Sequence, residues 1–141
     1  MLVLLISLIQ IYLRLDIGRS QVTNPERFLV HLPFSIYLGW ITVATIANAT
    51  SLLDYVGWNG WGISPEWWAV IMLAVAALVS LAMAWLRADL AYLLVIIWAS
   101  AGIAIKQANT ALVANTAWAV VALAVIWVLV AFWRRKQVLL T

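Results

Sequence analysis

Long apolar runs separated by short polar segments make up most of this chain of 141 residues. A helix needs about 20 apolar residues, within a range of roughly 17–25, to cross a bilayer. Four segments match this pattern, the third of them slightly short: residues 28–53, 65–86, 90–105 and 111–133. The pattern predicts an all-α, polytopic membrane helix bundle that forms a single membrane domain over residues 1–141.

The first apolar run, residues 1–13, differs from the others in length. At 1.5 Å per residue it cannot cross a hydrocarbon core of about 30 Å. A signal peptide is disfavoured because no basic region precedes the run and no small-residue cleavage site follows it. We interpret it as the second half of a transmembrane helix, which predicts four complete spans and one truncated N-terminal helix. On this interpretation the chain is a fragment, or begins at an internal methionine of a longer protein.

The composition agrees with a membrane protein, because 67% of the residues are hydrophobic and only 9% are charged. The absence of cysteine excludes disulfides and thiolate metal sites. The formal net charge of +3 does not indicate nucleic-acid binding, because the basic residues cluster at predicted helix ends. The expected surroundings are therefore membrane lipid, with no nucleic-acid partner.

The basic residues also predict an orientation. One predicted side of the membrane carries Arg14, Arg19, Arg27, Arg87, Arg134, Arg135 and Lys136. The other side carries only Lys106, and loop 51–64 has no basic residue. Because cytoplasmic loops are enriched in Lys and Arg, we expect a multi-pass protein with a cytoplasmic C-terminus and an outward-facing loop 51–64.

The second span contains an unusual number of polar and aromatic residues, in the stretch LPFSIYLGWITVATIAN. On a helical wheel Tyr37, Ala44 and Asn48 lie close to one line, with Trp40 to one side. A neighbouring arc carries His31, Ser35, Thr42 and Thr45. The remaining side carries Leu29, Ile36 and Val43, and we expect it to face lipid. The polar and aromatic residues of both sets together form the polar arc. We expect this arc to turn inward, where it serves either ligand binding or plain helix packing.

Three of the ten tryptophans lie deep in predicted spans: Trp40, Trp98 and Trp118. They fall roughly 12–20 Å into the core at 1.5 Å per residue. An indole N–H at that depth favours another helix or a ligand as its partner. Two interpretations stay open, namely bulky packing residues and the walls of an aromatic-lined small-molecule pocket.

The second span resembles a helix of a known protein family. Its residues Tyr37, Leu38, Trp40, Thr42, Ala44, Thr45 and Asn48 are similar, in register, to the last helix of the tryptophan-rich sensory protein (TspO/MBR) family, which includes the translocator proteins. The family's proline directly precedes the tyrosine, whereas Pro33 lies four residues earlier. Residues 1–13 are similar to the end of the family's fourth helix. The resemblance thus covers about residues 1–50, and the three following spans have no counterpart in it.

This resemblance implies a five-helix fold that binds tetrapyrroles and, in some members, sterols or synthetic ligands, often as a dimer. Trp40 and Ala44 correspond to residues that face the family's ligand pocket. Tyr37, Thr45 and Asn48 correspond more loosely, and would supply orienting hydrogen bonds. Outside the resemblance, Trp98 or Trp118 would add walls to the pocket because of their depth in the predicted spans.

The sequence shows no group of residues typical of a catalytic or metal-binding site, so we expect that the protein is not an enzyme. The five carboxylates lie in or beside predicted loops, and no span carries a charge near its middle, which disfavours ion-coupled transport. The lone His31 near a helix end is typical of a snorkelling or capping group, although axial ligation of a haem-type metal remains open. Small-residue ridges, which are weak evidence for a homodimer, run through Ala76, Ser80 and Ala84, and through Ala117, Ala124 and Ala131.

The leading prediction is a TspO-like membrane protein that binds a porphyrin-type or other flat hydrophobic ligand in an aromatic-lined intramembrane pocket. Its role would be sensory or in transport. The alternative is a structural or accessory subunit of a larger membrane assembly, whose partner would cover the polar face of the second span.

Overall fold

The computed structural model describes residues 1–138, with side chains through Arg134. The side chains of Arg135 and Lys136, on which the predicted orientation partly depends, lie outside this range. Residues 1–138 are predominantly helical and contain no strand, so the all-α prediction is confirmed. The main helices are α1 (Leu2–Arg14), α2 (Asn24–Tyr55), α3 (Pro65–Arg87), α4 (Leu90–Lys106) and α5 (Ala111–Val138).

Three of these helices, α2, α3 and α5, are long and apolar enough to cross a membrane. The other two are shorter apolar helices, of 13 residues in α1 and 17 residues in α4. A 17-residue helix is at the lower limit of the spanning range, roughly 17–25 residues. The count of four complete spans therefore stays a prediction.

Helix α2 begins with a local irregularity that its sequence explains. Thr23 caps the helix by accepting a hydrogen bond from the Glu26 amide, and Pro25 lies in the first turn, where its missing N–H is not needed. A π-helical turn follows at Arg27–His31, and it ends with the Leu32 amide bonded to the Arg27 carbonyl. Pro33 comes directly afterwards. The wider turn accommodates a proline whose ring would otherwise clash with a carbonyl one turn earlier.

The centre of the bundle is α4, which packs against α2, α3 and α5. Its buried residues recur at helical spacing: Tyr92, Leu93, Ile96, Ser100 and Ala104. Helix α5 also packs along α3, while α1 packs on α2. The two halves of the fold, α1–α2 and α3–α5, thus meet mainly through the contact of α2 with α4.

The small-residue ridges pack helices of the same chain. Ala76, Ser80 and Ala84 on α3 are at most 9% exposed, and Ala117, Ala124 and Ala131 on α5 are fully buried. Helices α3 and α5 are in contact, and Ala84 and Ala131 belong to one buried cluster with Leu93 of α4. Small side chains allow this close approach of helix backbones. The ridges therefore face neighbouring helices of the same chain, and the homodimer stays a prediction.

Three indoles organise the loop between α2 and α3. The rings of Trp58, Trp61 and Trp68 lie 5.1–6.0 Å apart, centroid to centroid. Trp68 Nε1 donates to the Gly60 carbonyl over 2.9 Å, and a side chain at Gly60 would crowd this indole. The loop is thus held against the first turn of α3 by tryptophan packing.

Candidate functional site

Helices α2 and α4 lie close together at Gly39. A β-carbon at Gly39 would lie 3.1 Å from Cβ of Val95, which is tighter than ordinary van der Waals contact. The buried face of α2 consists of His31, Ser35, Leu38, Gly39 and Ile41. Because Gly39 lacks a side chain, the two helices approach each other at this point and bring neighbouring residues together.

Trp40 and Trp98 meet beside this contact. Their ring centroids are 5.5 Å apart and their planes are inclined by 46°. Trp40 is 46% exposed and Trp98 is 65% exposed, so the pair lies on the outer surface of the bundle. Ring pairs at this separation attract each other beyond the effect of buried area.

The two indoles form one end of an apolar groove between α2 and α4, which we call the tryptophan groove. Its volume is about 380 Å³, and its other lining residues are Leu32, Ile36, Ala91, Leu94 and Val95. Small-molecule sites range over roughly 300–1,000 Å³, so the groove is at the lower end of that range. It is open on its outer side and can cover one side of a ligand.

The expected inward orientation of the polar arc is only partly correct. Ser35 is buried, but Tyr37 is 44% exposed and Asn48 is also exposed, as is Trp40. The inward face is set by the smaller residues Ser35 and Gly39, which let α4 approach, whereas an indole at the same place would keep the helices apart. On the opposite side Ile36 is exposed as expected, while Val43, expected to face lipid, packs against the core.

The remaining predicted residues of α2 satisfy their polar groups within the helix. Thr45 Oγ1 donates to the Ile41 carbonyl over 2.7 Å, and Asn48 Nδ2 donates to the Ala44 carbonyl over 2.8 Å. Neither these residues nor Tyr37 line the tryptophan groove. Trp118, on α5, is 49% exposed and also lies outside it. Of the predicted site residues, the structure brings together Trp40 and Trp98.

A buried polar cluster that was not predicted from the sequence surrounds Asp89, which is 3% exposed. Asp89 Oδ2 accepts hydrogen bonds from Tyr12 Oη at 2.7 Å and Ser35 Oγ at 2.6 Å. Its Oδ1 caps α4 by accepting from the Tyr92 amide. The cluster therefore joins α1, α2 and α4. The sequence feature that could have indicated this residue is an aspartate directly before an apolar helix, which is typical of an N-cap.

His31 lies one helical turn before Ser35 on the same buried face. It is 7% exposed, so its interpretation as a snorkelling group is wrong. Its Nε2 has no hydrogen-bond partner among the residues that the structure describes. The described side chains form no group of three or more metal-binding residues.

Comparison with protein-family models shows which family this fold belongs to. Residues 1–132 match the model of the TSPO-like protein family. The chain belongs to the TSPO-like protein family. The predicted resemblance is confirmed, but its predicted extent of about 50 residues is wrong, because the match runs from α1 into α5. No curated protein and no solved structure gives a match.

Family membership and the apolar helices together identify an integral membrane protein of the TspO type. The match also includes α3 and α4, and so both helices that form the tryptophan groove belong to the family region.

Proposed function

We propose that this TspO-type protein binds a flat, hydrophobic small molecule of the tetrapyrrole class in the tryptophan groove. The observation that carries the proposal is the pair of half-exposed indoles, Trp40 and Trp98, at one end of a groove with apolar walls. The protein performs no reaction on its ligand in this proposal. Binding serves a sensory or transport role.

Stacking and burial supply the affinity. A planar ligand that lies over one indole meets the inclined face of the other, and each favourable ring contact is worth about 0.5–1.5 kcal/mol beyond area burial. Buried apolar area adds about 25 cal/mol per Å². The side chains that line the groove are aliphatic apart from the two indoles, so the polar substituents of a ligand remain outside the groove.

The open side of the groove leaves room for a second copy of the chain to contact the ligand. The groove covers one side of a flat ligand, and the other side is left to lipid or to a second copy of the chain. Tyr37, Ala44, Thr45 and Asn48 line none of the groove, and their predicted role in binding stays a prediction. The proposal assigns direct contact with the ligand to Trp40 and Trp98.

The test is a titration of detergent-purified protein with protoporphyrin, followed by porphyrin absorbance and tryptophan quenching. Trp40→Leu and Trp98→Leu should each weaken binding by about tenfold, since each removes one ring contact. Ala91→Phe should weaken it similarly by filling the groove while both indoles remain. Trp118→Leu is the matched control, because it removes a half-exposed indole outside the groove, and it should leave the affinity unchanged.

Two results would contradict the proposal. One is a loss of affinity in Trp118→Leu equal to that in Trp98→Leu, which would indicate nonspecific contact with exposed indoles. The other is linear, unsaturable quenching in the wild type. In either case the accessory-subunit role becomes the better explanation, and the exposed groove would be a surface for a partner helix.

A further inference from the structure

A second concavity lies between α1, α2 and α3, and we call it the arginine cleft. Its volume is about 330 Å³, and it shares no lining residue with the tryptophan groove. Its walls include the apolar side chains of Ile9, Leu13, Val79 and Met83, while Arg19 and Arg87 also line it. The arginine cleft therefore combines an apolar interior with guanidinium groups, as a site for an amphiphile would.

The two arginines differ in whether a carboxylate neutralises the guanidinium group. Arg87 Nη1 contacts Asp16 Oδ1 at 2.6 Å, and the Arg87 guanidinium carbon lies 5.8 Å from the centre of the Tyr12 ring. The positive charge of Arg87 is thus neutralised within the protein. Arg87 is only 13% exposed, which fits this structural role.

Arg19, in contrast, carries a charge without a counterion. Its Nε donates to the Leu86 carbonyl over 3.2 Å, which fixes the side chain across the end of α3. Among the side chains of residues 1–134, the pair of Arg87 with Asp16 is the only salt bridge, so no carboxylate neutralises Arg19. The residue is exposed, so its guanidinium group is accessible to an anion.

We propose that the arginine cleft binds an anionic phospholipid, with its phosphate group at Arg19 and part of one acyl chain between α1, α2 and α3. Guanidinium groups bind phosphate oxygens through paired hydrogen bonds, which gives the charge complementarity. A soluble anion would leave the apolar walls of Ile9, Leu13 and Val79 without a partner. Arg19 also belongs to the predicted basic side of the chain, where anionic lipid headgroups are favoured.

The test measures lipid adducts of the detergent-purified protein by native mass spectrometry. The protein is equilibrated with equal amounts of phosphatidylglycerol and phosphatidylcholine that carry the same acyl chains. We expect the wild type to retain phosphatidylglycerol in preference by about tenfold, which corresponds to about 1.4 kcal/mol. Arg19→Gln should abolish this preference.

Two further variants separate the contributions of charge and shape. Arg27→Gln removes the same charge from an exposed residue outside the cleft, and it should keep the preference. Ala82→Phe keeps every charge but fills the apolar part of the cleft, and it should reduce retention of phosphatidylglycerol by about tenfold. Helical circular dichroism identifies any variant that fails to fold. If Arg19→Gln fails in this way, Ala82→Phe and Arg27→Gln still decide the proposal.

Three results would overturn the proposal. Equal retention of the two lipids by the wild type would exclude an anion-selective site. Equal losses in Arg27→Gln and Arg19→Gln would show that only the overall basic charge matters. Displacement of the lipid by glycerol phosphate, together with unchanged retention in Ala82→Phe, would indicate a site for a soluble anion.

Discussion

Ser35 on α2 donates its hydroxyl hydrogen to the carboxylate of Asp89 at the start of α4, with 2.6 Å between the two oxygens. The same carboxylate oxygen accepts from Tyr12 of α1, so three helices are joined through one buried group. A buried carboxylate is costly unless hydrogen bonds satisfy it. Here hydroxyl groups from two helices and the Tyr92 amide supply them.

Removal of the Ser35 hydroxyl should therefore destabilise the fold. Ser35→Ala should lower the free energy of unfolding by about 1–3 kcal/mol, since Asp89 loses one donor. Thr45→Ala is the control, because its hydroxyl bonds only a carbonyl of its own helix, and its effect should stay within about 0.5 kcal/mol. Denaturant unfolding in detergent measures both. Equal stability of the two variants would show that the Asp89 cluster contributes little.

Gly18 lies directly against the backbone of Arg87, with a φ angle of +84°. A β-carbon at this position would overlap the Arg87 carbonyl oxygen, and the left-handed conformation disfavours other residues. We expect Gly18→Ala to lower the unfolding free energy by about 2 kcal/mol or more. Gly102→Ala, in a helix with open space around it, should instead add roughly 0.5–1 kcal/mol. Thermal unfolding distinguishes the two, and a neutral Gly18→Ala would contradict this packing.

The short turn between α3 and α4 contains a strained residue, Ala88, at φ 48° and ψ 38°. A glycine adopts this left-handed conformation at the end of a helix without steric cost. Ala88→Gly should therefore raise the unfolding free energy by about 0.5–1 kcal/mol, and the unfolding midpoint reports it. A lower midpoint would mean that the packing of the Ala88 methyl group against the buried cluster of Ala84 and Leu93 outweighs the backbone strain.

The pairing of Trp40 with Trp98 depends on the glycine between the helices. Gly39→Val places two methyl groups and a β-carbon against Val95, so α2 and α4 must separate. We expect the near-ultraviolet circular dichroism of the tryptophan pair to weaken. Gly102→Val applies the same change to an open helical position and should preserve the signal. An unchanged signal in Gly39→Val would show that the Trp40–Trp98 pair does not require the close contact.

The positions of the helices follow from the sequence because each apolar run must satisfy its own backbone in lipid. The rotation of α2 about its own axis does not follow from the sequence in this way. A helical wheel gives the relative placement of Trp40 and Ser35, but lipid and bundle are both apolar, so hydrophobicity alone cannot identify the inward face. Residue size decides it here, since Gly39 permits close packing and Trp40 does not.

The Asp89 cluster could not be predicted from the sequence, for a different reason. Its partners are 77 residues away at Tyr12 and 54 residues away at Ser35, and each of these looks ordinary in its own helix. Only the position of Asp89 at the N-cap of α4 could be predicted from the neighbouring sequence. The pairing of Trp40 with Trp98 was likewise beyond a single-helix pattern, although both residues were singled out by their depth.

The outward opening of the tryptophan groove affects how any occupant reaches it. A hydrophobic molecule that first dissolves in the surrounding lipid can approach Trp40 and Trp98 sideways, without a passage through the bundle or from water. Occupancy is then governed by the mole fraction of that molecule in the membrane. Adding empty bilayer at a fixed total ligand concentration dilutes it and lowers occupancy, with no change in the protein itself.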